Sequence, residues 1–250
     1  MIQKKSKWLP KNIWLLLGCA LFLFGCASSG EKSVKVYFPD ERWWSEAQVS
    51  PNQGEQNLAL ARLKMNQVSQ VPFILGVAQT PEINAYAQQR DGKFIVIFTN
   101  GYLQQFALDQ DVLAFTLGHE IAHHHLGHTE PGRNEGRDMA WGASSQALGM
   151  IASYFIPFSG LLVGNAVKAA GLSFNRDDER AADNLGMDWV IQAGYSACGQ
   201  YRLAKRLELL KQGASIPYLS THPGNTERMN TAKEVQLNQS LLSCEEGGAG

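Results

Sequence analysis

The run His119-Glu120-Ile121-Ala122-His123 offers two imidazoles four residues apart, with a carboxylate beside the first. On a helix, residues at that spacing stand one turn apart on one face, about 6 Å along the axis. Both rings then reach one divalent ion, which for zinc means contacts of roughly 2.0–2.1 Å. Glu120 is placed to take a proton from metal-activated water and to hand it to a leaving amine. The chemistry on offer is metal-assisted hydrolysis of a peptide bond. His124, His125 and His128 follow closely and read as surface or supporting residues rather than ligands.

A catalytic zinc site needs a third protein ligand and an accessible fourth position. A histidine supplies the third in the pattern His-Glu-x-x-His-x-x-Gly-x-x-His. This chain has Leu126 and Thr129 where that pattern wants Gly and His, and its Gly127 and His128 are out of phase. A carboxylate on a later helix is the other solution. Glu179-Arg180-Ala181-Ala182-Asp183 presents two, again four apart. Glu179 would bind the metal, and Asp183 would accept a hydrogen bond from a ligand imidazole's second nitrogen. Ala181 and Ala182 would let this helix approach the first closely. The same residues also read as a solvated acidic first turn, because acids suit a helix N-terminus.

The elements that must position these groups are legible in outline. Asp109 or Gln110 opens the motif helix, whose apolar face carries Val112, Phe115, Leu117, Ile121 and Leu126. Apolar periodicity predicts further helices over 53–69, 176–192 and 197–210. A helical segment starts at 102–106, and a loop over 213–222 precedes a short helix opened by Pro223 and running to Met229. Strands are expected at 71–77, 84–87 and 94–98, the last rich in β-branched and aromatic residues. Asp91-Gly92 marks a tight hairpin turn. Phe94, Ile95, Val96, Ile97 and Phe98 are read as an edge strand to which an extended substrate adds through main-chain hydrogen bonds. Residues 139–167 contain no Asp, Glu, Lys or Arg. They are read as two helices lying over the catalytic core or against a membrane.

Taken in order, His119-Glu120-Ile121-Ala122-His123, Glu179-Arg180-Ala181-Ala182-Asp183 and His222-Pro223-Gly224-Asn225-Thr226-Glu227-Arg228 resemble the HtpX-like zinc peptidases, and most nearly their periplasmic lipoprotein members. Asn84-Ala85-Tyr86 and the hairpin up to Asn100-Gly101 are similar too. The likeness covers roughly residues 50–235. It implies an α+β, mainly helical zincin-type metallopeptidase domain with a small antiparallel sheet and the His-Glu-x-x-His motif on a central helix. It implies one zinc ion per chain held by His119, His123 and Glu179, with Glu120 catalytic and Asp183 orienting a ligand imidazole. By the same resemblance His222 lies near the metal, stabilising the oxyanion or occupying the open zinc position, and Arg228 braces its loop through an acidic neighbour.

Lys4, Lys5, Lys7 and Lys11 precede an uncharged apolar run over 12–25, ahead of Cys26. A positive segment before a short apolar one marks a secretory signal, and the run falls short of the roughly 20 residues that span a bilayer. Leu23-Phe24-Gly25-Cys26 is similar to a bacterial lipoprotein cleavage box, with Cys26 as the lipidated residue. Leu16-Leu17-Gly18-Cys19 is a second, shorter-run candidate, and an uncleaved anchor is the alternative. Ala27, rather than Asp, after the cysteine points by resemblance to the periplasmic face of the outer membrane. The expected layout is a signal peptide at 1–25, a tether at 26–50, a peptidase domain at 51–240 and a flexible tail at 241–250.

Removal of the four leading lysines from 22 basic residues leaves 18 against 23 acidic ones, a net charge near −5. No basic stripe is present and nucleic acid is not an expected partner. Cys198 and Cys244 would sit in an oxidising compartment, where they either form a disulfide or remain two thiols. The expected function is a zinc endopeptidase acting on unfolded or misassembled envelope proteins, in possible contact with envelope assembly machinery. A non-enzymatic zinc-containing chaperone or assembly lipoprotein is the alternative.

Overall fold

The computed structural model describes residues 34–130, 133, 162–164, 174–212, 216–222, 224–240 and 244. The expected signal at 1–25 and Cys26 lie outside them, as do most of 139–167 and all of the expected tail at 241–250 except Cys244. In chain order the elements are β1 (Val34–Tyr37), α1 (Glu41–Ala47), α2 (Gln53–Ser69), β2 (Ile74–Ala78), β3 (Ala85–Arg90), β4 (Lys93–Thr99), α3 (Asn100–Phe106), α4 (Gln110–His125), β5 (Leu162–Gly164), α5 (Arg176–Gln192), α6 (Cys198–Lys211), α7 (Pro217–Thr221) and α8 (Asn225–Ser240). This is the expected α+β, mainly helical class.

Local chemistry sets most of these boundaries. The side chains of Asn52, Thr99, Asp109 and Asn175 each accept from a backbone N–H of the first turn that follows, capping α2, α3, α4 and α5. Asp91 and Gly92 take φ values of +50° and +72°, the twist that a two-residue hairpin between β3 and β4 requires. Along β4, Ile95 and Ile97 join an apolar cluster with Val36, Ala78 and Tyr86 on one sheet face. Val96 and Phe98 alternate onto the other face and enter the main helical core.

The sheet order is β3-β4-β2-β1-β5. It is mixed rather than wholly antiparallel, because β2 and β4 run parallel. The chain leaves β2, reverses into β3, and returns through the Asp91-Gly92 turn to place β4 between them. This corrects the reading of residues 94–98 as an edge. Each of Phe94, Ile95, Val96, Ile97 and Phe98 faces a β3 partner, and Ile95 to Phe98 face β2 as well. No side of β4 is left for a substrate; among the described residues the open edge near the helices belongs to β3.

Three other expectations change. The tether does not extend to 50: Val36 pairs with Ala78 in the sheet, and Trp44 is buried with its indole N–H donating to the Pro39 carbonyl. The loop over 213–222 contains α7, with Pro217 in its first turn. The last helix runs on to Ser240 rather than stopping at Met229. Within the uncharged segment, 162–164 is a strand paired with β1; the two-helix reading of its remainder lies outside the described residues. Among those residues no helix is long and apolar enough to cross a membrane.

α4 is the centre of the domain. Every residue from Val112 to His124 is buried, so this helix meets protein on all sides rather than along one stripe. It packs on α2, α5, α6 and the sheet. Its closest neighbour is α5, where Gly118 and Gly186 allow backbone to meet backbone. A methyl group on Gly186 would lie 2.8 Å from the His119 nitrogen.

Candidate metal centre

The two motif histidines point into one buried space. His119 Nε2 and His123 Nε2 are 3.1 Å apart on successive turns of α4. The first turn of α5 brings Glu179 to them, with one carboxylate oxygen 3.6 Å from His119 Nε2 and the other 3.3 Å from His123 Nε2. His222, just after α7, completes the group: its Nδ1 is 3.1 Å from His119 Nε2 and 3.2 Å from both Glu179 oxygens. All four residues are buried and their donor atoms lie within 4.8 Å of one another. A tetrahedral ion with bonds of about 2.0–2.1 Å separates its ligand atoms by about 3.3–3.4 Å. The nitrogen and carboxylate donors therefore fit zinc in type and in spacing.

The surrounding groups hold these donors in place. Asp183, one turn beyond Glu179, sets its Oδ1 2.8 Å from His119 Nδ1, which leaves Nε2 free to face the ion. Arg228 on α8 donates through Nε to Asp183 at 2.8 Å, pairs with Glu179 through Nη2, and reaches the His222 carbonyl. This one guanidinium thus links the Glu179 and Asp183 carboxylates to the His222 loop. Phe174 stacks on the His123 ring at 3.7 Å, and Tyr218 flanks His222 at 4.5 Å.

The electrostatics divide the two glutamates. Burial raises the Glu120 carboxyl pKa, against the pull of His222 and His119. Burial would raise Glu179 as well, but His222, His123 and His119 hold it well below the ordinary carboxylate range. Burial keeps His123 neutral, its pKa well below the usual value. Burial opposes charge on His222, yet Glu179 and Glu120 raise its pKa. Neither Glu120 oxygen has a hydrogen-bond partner among the described residues, and Oε1 lies 3.4 Å from His222 Nε2. A buried carboxylate that accepts no hydrogen bond, next to a set of metal donors, is suited to exchanging a proton with water or substrate.

Every residue expected at the centre therefore arrives there: His119, Glu120, His123, Glu179, Asp183, His222 and Arg228. Phe94, Ile95, Val96, Ile97 and Phe98 do not present a binding edge. His124 turns away from the donors, with Nδ1 2.7 Å from the Thr129 hydroxyl and Nε2 3.2 Å from the Ile95 carbonyl. Tyr218 and the Gly118–Gly186 contact were missed. Both carried a signal: Tyr218 and His222 are four apart, and Gly186 continues the face of Glu179 and Asp183. No sequence pattern pointed to Phe174. Cys198 and Cys244 are joined, with Cα atoms 5.2 Å apart.

A model of peptidase family M48 matches residues 52–236. Mitochondrial metalloendopeptidase OMA1 of Arabidopsis thaliana is 28% identical over 245 residues, 93% of this chain and 48% of that protein. Metalloprotease LoiP of Escherichia coli is 26% identical over 190 residues, 74% of this chain and 72% of LoiP. Metalloprotease YcaL of the same species is 24% identical over 188 residues, covering 73% of this chain and 69% of YcaL. The chain thus spans about half the length of the plant relative.

Proposed function

The chain belongs to peptidase family M48, and from that premise we propose that it is a zinc-dependent endopeptidase. The observation that carries this is a buried set of four metal donors beside a carboxylate, Glu120, whose oxygens accept no hydrogen bond among the described residues. A structural zinc site has no use for a buried general base. Zinc held by His119, His123 and Glu179 supplies Lewis acidity, which acidifies water and polarises a carbonyl.

The protein's own groups do the rest. Glu120 takes the proton from the attacking water and returns it to the leaving amine. His222 has two offices, one at a time. Its Nδ1 lies among the metal donors and would help to hold the ion at rest; turned away from it, an imidazole at this place would offset charge on the reacting oxygen. An extended substrate adds to β3, whose first carbonyl, that of Ala85, is 3.4 Å from His222 Nε2. Strand addition reads main chain more than side chain. That suits unfolded or misassembled chains of varied sequence, and we assign envelope proteins of this kind as substrates.

The place of action is proposed from the N-terminal residues: export through 1–25, lipid on Cys26, and residence at the periplasmic face of the outer membrane. The Cys198–Cys244 bond supports an oxidising compartment. The discriminating experiment is Glu120→Gln. The variant keeps stoichiometric zinc but loses cleavage of an unfolded casein-type substrate by a factor of at least about 100. Full cleavage by the zinc-loaded variant would exclude Glu120 as the general base, whereas full function in cells carrying Glu120→Gln would favour a non-enzymatic role.

A further inference from the structure

His119 and His123 are supported differently. The Nδ1 of His119 meets a carboxylate, that of Asp183. The Nδ1 of His123 meets another imidazole: His128 Nδ1 lies 2.9 Å away. His128 is itself buried, and its Nε2 lies 3.5 Å from Asp178 Oδ1. Arg133 donates to the same Asp178 oxygen at 3.1 Å and, through its other terminal nitrogen, to the Leu126 carbonyl at 3.0 Å.

The end of α4 is what delivers His128. Gly127 adopts φ +69°, Gly127 N–H bonds to His124 O at 3.0 Å, and His128 N–H bonds to His123 O at 2.8 Å. These are the paired bonds of a glycine-terminated helix stop. They fold the chain back so that the residue five beyond His123 lies against its ring. Gly127-His128, which is out of phase for a third ligand, is in phase for this.

We propose that His128 and Asp178 form a relay that positions His123 for the metal, a separate arm from the Asp183 support of His119. The proton placement follows from the distances. His123 must offer a bare Nε2 to the ion, so its Nδ1 carries the hydrogen and donates to His128 Nδ1. His128 then accepts there and carries its hydrogen on Nε2, directed at Asp178. One order of donors satisfies both rings, and it fixes the His123 tautomer that binds metal. His128 is a positioning residue; it reaches no substrate. The inference rests on the metal reading of the centre.

The test compares purified wild type, His128→Ala and His128→Asn. Asn places an acceptor oxygen near the Nδ1 position and keeps an N–H donor. Zinc affinity is measured by competition with a chromophoric chelator, alongside the visible spectrum of the cobalt-loaded protein and the melting temperature of chelator-stripped protein. His128→Ala is expected to weaken zinc binding about 10–100-fold and to alter the cobalt spectrum. His128→Asn is expected to restore most of the affinity, with metal-free melting temperatures of the two variants alike. Wild-type affinity in His128→Ala would overturn the relay, as would an Asn variant no better than Ala. Failure of the wild type to bind zinc at all would instead remove the metal reading, and the relay with it.

Discussion

His123, His124 and His125 are adjacent in sequence and do three different things. The roughly 100° turn between successive helix positions separates them. His123 faces the metal donors, His124 pins α4 to the sheet at Ile95, and His125 is exposed beside the Trp189 ring. Burial lowers the His124 pKa to about 4, against a smaller upward pull from its bond to Ile95. An unfolded histidine titrates near 6.5, so below that value the unfolded chain binds the proton that the folded one refuses. The stability from neutral His124 is therefore complete above about pH 6.5 and declines as pH falls towards 4. Urea unfolding of chelator-stripped protein should show wild type losing about 2 kcal/mol more than His124→Asn between pH 7 and pH 5. Equal losses in the two proteins would show that His124 charges without penalty.

At the scale of elements, the centre depends on how closely α4 and α5 lie. The two histidines belong to one helix, and Glu179 with Asp183 to the other, so their separation sets whether one ion can bridge them. Gly118 and Gly186 permit that separation. In an exposed helix, Gly→Ala would add up to about 1 kcal/mol of stability through propensity. At 186 the new methyl meets backbone, which cannot rotate aside. Gly186→Ala should therefore destabilise the protein by roughly 1–3 kcal/mol and weaken zinc binding, because α5 must withdraw with its carboxylates. Thermal melting and zinc competition on the same preparation check both. A stabilised variant with wild-type affinity would show that the helices have room.

Across the whole molecule, distant parts of the chain are joined around this pair of helices. β1, well before the matched family region, extends the sheet, and Cys244, beyond α8, is bonded to Cys198 at the start of α6. The disulfide closes a separation of 46 residues, and its loss should cost roughly 2–4 kcal/mol, mainly through freedom regained by the unfolded chain. Its sulfurs sit with Tyr201 and Ala232, away from the metal donors. The double change Cys198→Ser with Cys244→Ser should lower the unfolding midpoint while leaving zinc affinity within about twofold, since sites with no shared partners act independently. A joint loss of zinc binding would show that the C-terminal staple also shapes the centre.

The amino-acid sequence by itself determined the chemistry. Donor types and four-residue spacings convert directly into one helix face, so His119 and His123 could be named as ligands and Glu179 and Asp183 as candidates, whose roles the likeness to a family then assigned. Likeness to a family added His222 and Arg228. Helix starts were legible for the same local reason, since Asp109 and Asn175 cap the turns that follow them. Only the tertiary structure decided which strand has a free edge, because pairing is non-local. Phe94 to Phe98 has the composition of a good strand whether it lies inside the sheet or at its rim. It also decided that β1 joins the sheet and that Gly118 meets Gly186. The support of His123 by His128 was settled there too. Each of these depends on the distance between residues far apart in the chain or across a turn, and periodicity along one element carries no such distance.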